Sequence, residues 1–507
     1  MIHHGLIFGL KPHPYSRSAG AHRIATVLRE EGWDCEVIDF ARLWDLDELK
    51  ELVRSRVSNK TVFVSFSTFF NYWEAKFDDL ISWLAKEYPN IKTIIGGQSV
   101  GLTPAKHVDY WVDSYAEVAI VALLKSLTGN SSTEVKFDAR FFGNKQLIKS
   151  ISAYPAYPLD SYRSQLEKRD FVKPYEWLSV EFSRGCKFKC DFCNFPILGV
   201  KGDYSRTQDD FEREMKFNYD NWGVTDYYIA DETFNDRPEK IKKFADVVDE
   251  QLDFKPYFSG FIRSDLLISH TETWEDLVRL GVGGQYYGIE SFNHDSAKLV
   301  GKGMKAEKLK AGLLEYKQYM QDKILFRGTI SLIVGLPFET AQSMDDAKNW
   351  ALDNWNDQSL MTFPLDISGE EGSDYNAGQT NLSDFTKNLL KYGIRPMKKD
   401  NVDATDAEVV HNVLAPDHLT NEPLVWEHDT MNLPEAKDIS DDIAKLIHQK
   451  FKIDNWNLSA ISFGKQQHIN DVPDAHLFGQ EHGRPDEALL QVFLKEYKSA
   501  KLSWVSH

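Results

Sequence analysis

Three of the four cysteines in this chain of 507 residues fall in one short stretch, Ser183-Arg184-Gly185-Cys186-Lys187-Phe188-Lys189-Cys190-Asp191-Phe192-Cys193. Three residues separate the first pair and two separate the second. Three thiolates on one loop can hold three corners of an iron–sulfur cube, whose usual complement is four cysteines. The remaining one, Cys35, lies in an apolar strand-like run (33–38) and reads as a small buried hydrophobe. One iron would therefore be open to a ligand that is not protein. A structural zinc site is the competing reading. Zinc takes four ligands, usually in two separated pairs, and the sequence has no second pair.

The pattern on either side of this loop is α/β. In residues 1–150, strand-like runs at 5–9, 34–40, 61–67, 92–95 and 108–112 alternate with helical periodicity at 19–31, 46–57, 77–87 and 117–127. Such alternation predicts a doubly wound, Rossmann-like parallel sheet covered on both faces. Ligands of these folds sit at the carboxyl ends of the strands, which here include Ser65, Gly96 and Gly97. A proline-rich join at 154–158 opens a second region, 151–365. There a strand at 177–182 delivers the cysteine loop. Strands at 225–229, 256–262, 284–289, 325–334 and 360–363 follow, separated by helical segments at 208–222, 238–252, 274–280, 306–321 and 344–355. Ser343 is the expected N-cap of the last helix. This order predicts a partial (β/α)6 TIM-type barrel with its chemistry at the C-terminal strand ends. Residues 366–507 read as a mostly helical extension, with helical spacing at 386–391, 438–451 and 486–497, that closes the barrel mouth and shapes the substrate pocket. Trp426, Trp456 and Trp504 read as packing residues, and the histidines of this tail show no metal-ligand spacing.

The net charge of −18 and the lack of any Lys/Arg block argue against a nucleic-acid substrate and for a peptide or small molecule. The longest apolar runs, such as 61–70, are too short to span a bilayer. The N-terminus lacks a signal-peptide pattern, and four cysteines do not make a disulfide scaffold, so the cytoplasm is the expected location.

The loop and its surroundings resemble the radical S-adenosylmethionine (SAM) superfamily, in the class with an N-terminal cobalamin-binding-like domain. Ser183-Arg184-Gly185 before the CxxxCxxC loop is typical of that family. Tyr228-Ile229-Ala230-Asp231-Glu232-Thr233-Phe234 is similar to its Asp-Asp/Glu-x-x-Phe motif. Tyr287-Gly288-Ile289-Glu290-Ser291 is similar to Gly-Ile-Glu-Ser, and Ile333-Val334-Gly335-Leu336-Pro337-Phe338-Glu339-Thr340 to Gly-Leu-Pro-x-Glu-Thr. The resemblance implies a [4Fe–4S] cluster on Cys186, Cys190 and Cys193, with SAM chelating the fourth iron. It implies reductive cleavage of SAM to methionine and a 5′-deoxyadenosyl radical, with the electron coming from a donor such as flavodoxin or ferredoxin. Phe192 would lie against the adenine, and Asp231 and Glu232 would accept hydrogen bonds from the SAM ammonium. Arg263 would face the SAM carboxylate. Glu290 and Ser291 would meet the ribose or methionyl end, and the backbone of Gly335, Leu336 and Pro337 the adenine. No cysteine follows Cys193, so the tail holds no second cysteine-ligated cluster.

Ile94-Ile95-Gly96-Gly97-Gln98, Val108-Asp109-Tyr110 and Glu117 follow the pattern of the cobalamin domain, in which glycines let a flat corrin approach the backbone. There are two departures. The Asp-x-His-x-x-Gly motif that supplies a cobalt ligand is absent, and its nearest substitute is His13. The usual Gly-Glu-Gly-Glu reads Ser114-Tyr115-Ala116-Glu117, with Tyr115 where a corrin would need space. The leading expectation is cobalamin-dependent C-methylation of an unactivated carbon. The alternatives are a cobalamin-free rearrangement, cyclisation, epimerisation or oxidation with the first domain as a docking module, and a non-enzymatic iron–sulfur protein.

Overall fold

The computed structural model describes residues 4–11, 17–68, 73–97, 107–113, 115–129, 146–149, 163–191, 193, 204–365, 367, 389–397, 425–450 and 485–504. Phe192, His13, Ser114, Trp456 and the join at 154–158 lie outside these residues.

The first sheet has six parallel strands: β1 (Gly5–Gly9), β2 (Cys35–Ile38), β3 (Phe63–Ser67), β4 (Lys92–Gly97), β5 (Tyr110–Asp113) and β6 (Gln146–Lys149). Their order is β2-β1-β3-β4-β5-β6. Helices α1 (Ala19–Glu30), α2 (Leu46–Arg56) and α3 (Ala75–Glu87) connect the first four strands, α4 (Glu117–Leu127) lies between β5 and β6, and the four cover both faces. Alternate residues enter different cores: Leu6 and Phe8 join Phe66 and Leu80 on one side, while Ile7 joins Val37, Ile94 and Leu124 on the other. This accounts for the continuous apolar runs. The order reverses between β1 and β3, and that switch point is where open α/β sheets bind ligands. The sequence pattern had not predicted β6.

The second sheet is an arc of six parallel strands: β7 (Trp177–Val180), β8 (Asp226–Ile229), β9 (Tyr257–Ile262), β10 (Val282–Glu290), β11 (Arg327–Val334) and β12 (Ser359–Pro364). It runs in simple order from β7 to β12, and these two edges do not pair. The outer face is covered by α5 (Gln208–Trp222), α6 (Pro238–Gln251), α7 (Ser264–Ser269), α8 (Trp274–Leu280), α9 (His294–Leu299), α10 (Ala306–Gln321) and α11 (Ala341–Asn354). Leu178, Tyr227, Ile262, Tyr287 and Ile330 fill the layer between strands and helices. Thr340, not Ser343, caps α11. Its side chain accepts from Ser343 N–H, and the Ser343 hydroxyl returns a bond at 2.9 Å from Thr340 N. Ser343 thus supplies the reciprocal half of a capping box.

The C-terminal region divides in two. A small antiparallel sheet, β13 (Arg395–Pro396), β14 (Trp426–His428) and β15 (Met431–Asn432), leads into α12 (Leu433–Lys450). Helix α12 lies along β12, where Thr362 Oγ1 meets Ser440 Oγ at 3.0 Å. The last helix, α13 (Pro485–Ser503), does not cap the barrel. It closes over the first sheet, where Phe493, Leu494 and Tyr497 join the core of Leu6 and Phe8. Asp39 N–H donates to the Tyr497 hydroxyl at 3.0 Å, and Lys501 Nζ lies 3.0 Å from Glu36 Oε1 in full burial. No described helix is long and apolar enough to cross a membrane.

Candidate active site at the cysteine loop

The loop leaves the C-terminal end of β7 and is tied down by Asp231 from the end of β8. Asp231 Oδ1 accepts from Phe182 N–H at 2.7 Å, and Oδ2 from the Ser183 hydroxyl at 2.6 Å. The buried Lys240 ammonium lies 3.6 Å from Oδ2, 2.9 Å from Ser183 Oγ and 2.8 Å from Asp236 Oδ1. Asp231 is 1% exposed. Both oxygens of the carboxylate expected to meet a SAM ammonium are thus engaged at the base of the loop.

The three cysteines form no disulfide and are half-buried. Cys186 Sγ lies 3.1 Å from Thr233 Oγ1 and accepts from Phe188 N–H at 3.4 Å. Cys193 N–H donates to Cys190 O at 3.0 Å, which bends the loop back on itself. Arg263 Nη1 approaches Cys190 Sγ at 3.6 Å. Burial raises the Cys190 thiol above its ordinary value, and Lys302 and Arg263 pull in the opposite direction, toward thiolate. Among the described residues no three His, Cys, Asp or Glu side chains converge on a single-ion site. The loop is also touched from the C-terminal region, where the Tyr392 hydroxyl donates to Asp191 Oδ2 at 2.5 Å. Nothing in the pattern around Tyr392 pointed to this contact, because it spans two hundred residues of chain.

The other candidate residues lie at the C-terminal ends of the neighbouring strands. Glu232 is half-buried. Burial, the largest cause, together with repulsion from Asp231 and Glu181, raises its carboxyl to about 7. The Arg263 guanidinium forks onto Asp265 at 2.8 and 2.9 Å, donates to Gly301 O at 3.0 Å and lies 4.1 Å from the Phe188 ring centre. Glu290 stands at φ +67°, with its Oε1 2.8 Å from Lys302 Nζ. The Ser291 hydroxyl donates to Glu339, whose burial raises its carboxyl to about 8. Gly335 has φ +96°, and a Cβ there would stand 2.3 Å from Trp426. The Leu336 side chain is fully buried, and Pro337 O accepts from the Ser296 hydroxyl at 2.8 Å. Trp426 packs, as its sequence context predicts, and His428 is the neighbour for which the sequence offered no role. They back the Gly335 turn, with His428 Nε2 2.9 Å from Gly335 O.

A cavity of about 230 Å³ opens between the two sheets. Ser65, Ser67, Gly96 and Gly97 line it from the first domain, and Ser179, Glu181, Arg184 and Ala230 from the barrel. A Cβ on Gly97 would stand 1.9 Å from Thr68 O, so that glycine is required by the backbone itself. A Cβ on Gly96 would meet only Val112 O, at 3.8 Å, which leaves the approach to its backbone open. Tyr115 also lines the cavity and stacks under Arg184 at 4.4 Å. Arg184 Nη2 bridges Glu117 at 2.8 Å and Glu181 at 2.7 Å. The residue two before the first cluster-loop cysteine is thus held by both domains.

Residues 180–351 match the model of the Radical SAM superfamily. The chain is 24% identical over 243 residues to an anaerobic magnesium-protoporphyrin IX monomethyl ester cyclase of a Synechocystis strain, covering 45% of this chain and 47% of that protein. It is 24% identical over 326 residues to the cobalamin-dependent radical SAM methyltransferase TokK of Streptomyces tokunonensis, covering 58% and 46%. It thus spans about half the length of these curated relatives. Its fold is that of the radical SAM methyltransferase TsrM from Kitasatospora setae, solved with tryptophan and a SAM analogue, with a TM-score of 0.66 at 14% identity over 97% of this chain and 99% of that one. It is also that of OxsB, solved with aqua-cobalamin and SAM, with a TM-score of 0.54 at 14% identity over 99% and 72%. A cysteine loop presented at the end of the first barrel strand, behind a Rossmann-like domain, is thus the fold that this chain shares with these solved structures, and the match to the radical SAM model covers its central region, residues 180–351.

Proposed function

We propose that the chain cleaves SAM reductively at a [4Fe–4S] cluster held by Cys186, Cys190 and Cys193, and that it uses cobalamin at the first domain's strand ends to methylate an unactivated carbon of a small molecule or peptide. The observation that carries the reading is the CxxxCxxC loop held at the C-terminal end of the first barrel strand, with Arg263 Nη1 3.6 Å from Cys190 Sγ and the acidic residues Glu232 and Glu290 at the ends of neighbouring strands. When bound, the cluster supplies the electron for SAM cleavage and cobalamin supplies the methyl group. The donor set fits both groups: soft thiolates suit iron, and the open approach at Gly96 suits a flat ring. In this reading Glu232 accepts from the SAM ammonium, Arg263 steadies Cys190 and the carboxylate end of SAM, and Glu290 and Ser291 line the methionyl and ribose side. Phe192 and the Gly335–Pro337 backbone flank the adenine, and Asp231 positions the loop. Ser65, Gly96 and Gly97 floor the cobalamin site.

Tyr115 favours a second reading, because its ring occupies part of the cavity wall. In that case the first domain docks substrate and the radical chemistry proceeds without cobalamin. Anaerobic purification from cells given hydroxocobalamin separates the two. About four irons and about one cobalamin per chain, with 5′-deoxyadenosine released from SAM under reduction, supports the first reading. Four irons and 5′-deoxyadenosine without cobalamin supports the second. A fully loaded cluster that releases no 5′-deoxyadenosine refutes both.

A further inference from the structure

Residue alternation divides the barrel strands between two faces. Leu178, Tyr227, Ile262 and Tyr287 belong to the core under the helices. Their neighbours Trp177, Tyr228, Phe261 and Tyr286 therefore face the concave side. These four rings form one edge-to-face row across β7 to β10. Trp177 and Tyr228 are 5.8 Å apart, Tyr228 and Phe261 6.4 Å, and Phe261 and Tyr286 4.8 Å. Barrels of this type normally fill their interior with side chains. Phe261, on a central strand, is nevertheless 41% exposed. Phe261 therefore presents exposed aromatic surface on the concave side of the sheet.

Charge gives this surface a direction. Lys11, leaving the end of β1, places its ammonium 5.7 Å from the Trp177 ring and 5.8 Å from the Tyr228 ring. Burial lowers its pKa to about 8, so it is still mostly protonated at neutral pH. The C-terminal strand ends carry Glu181, Glu232 and Glu290. Glu181 and Glu290 are paired there with Arg184 and Lys302, whereas the Lys11 ammonium stands over the aromatic row, so an anionic group lying on that row is attracted toward Lys11. Phe261 lies two residues before Arg263, so a ring resting on it sits roughly 7 Å below the strand ends.

We propose that this concave face binds the substrate through a planar aromatic group laid against Phe261, with a carboxylate turned toward Lys11. The proposal rests on the radical SAM reading and names the substrate class of that site. An aromatic group gains edge-to-face contact that an aliphatic chain of similar area does not, worth about 1 kcal/mol, or about fivefold in affinity.

The test uses the cluster-loaded full chain with SAM and three probes: indole-3-propionate, indole-3-propionamide and hexanoate, titrated calorimetrically. The expected order is the indole carboxylate tightest, its amide about fivefold weaker and hexanoate about tenfold weaker. Lys11→Met should erase the difference between acid and amide. Phe261→Ala should cut affinity for both indoles about fivefold, and Phe261→Leu, which keeps most of the volume, should lose the aromatic preference while retaining bound iron. Equal binding of the three probes, or discrimination unchanged in Lys11→Met and Phe261→Leu, overturns the proposal. 5′-Deoxyadenosine formation is read in the same wild-type samples. If it is present while discrimination fails, only the substrate class is overturned; if it is absent, the radical SAM reading is overturned, and this proposal with it.

Discussion

The Tyr115 hydroxyl of the first domain donates to Glu232 Oε1 of the barrel at 3.3 Å, and the Tyr115 ring lies under Arg184. The segment that departs most from the cobalamin-domain pattern therefore touches both the residue after Asp231 and the arginine before the cysteine loop. An aromatic hydroxyl standing in for an acid here links the cavity floor to the mouth of the barrel.

Glu232 should make SAM binding pH-dependent. Its carboxyl, raised to about 7, is mostly protonated at pH 6 and mostly ionised at pH 8. Only the carboxylate accepts strongly from an ammonium, so SAM affinity should rise about tenfold across that interval. Glu232→Gln should bind SAM more weakly and flatten the profile. Equilibrium binding of SAM at the two pH values, with iron content constant, checks this.

Asp231 should act through the loop. Asp231→Asn keeps the shape but removes the charge facing buried Lys240, which should cost about 3 kcal/mol. The variant should unfold at lower temperature and retain less iron after desalting, while SAM affinity per loaded cluster stays near wild type. A selective loss of SAM affinity at full iron content would restore Asp231 as a ligand contact.

Gly335 should tolerate no side chain. At φ +96°, with Trp426 2.3 Å from an added Cβ, Gly335→Ala should cost about 3 kcal/mol through clash and backbone strain together. Adding Trp426→Leu should recover the clash but not the strain, so thermal denaturation of the double variant should fall between the single variant and wild type.

Helix α13 should behave as a clasp on the first domain. Lys501→Met removes one of the cations beside buried Glu36 and should destabilise by about 3 kcal/mol. Below its unfolding temperature the variant should release 5′-deoxyadenosine at the wild-type rate. A rate loss at full folding would place α13 at the barrel after all.

Both parallel sheets were legible because their strands are apolar over most of their length and each helix is buried on one face, which leaves apolar runs separated by amphipathic periods. The short pieces were not. Strand β6 and the two- and three-residue strands β13–β15 carry too few residues to show a period, and they exist only where a neighbouring edge offers hydrogen bonds. Helix α13 was visible as a helix, but its partner was not, because one apolar stripe fits any apolar surface of similar shape.

The local chemistry belonged to the sequence alone. Cys186, Cys190 and Cys193 sit close enough along the chain that their spacing confines them to one loop, and Glu290 and Gly335 were marked by motifs a few residues long. Tertiary structure decided which of these groups stay available. It committed Asp231 to Phe182 and Ser183, paired Arg263 with Asp265, set Trp426 behind Gly335 and brought Tyr115 to Glu232 across 117 residues. The reason is physical: a motif specifies which hydrogen bonds a side chain can make, but burial and the groups packed beside it select which ones are made.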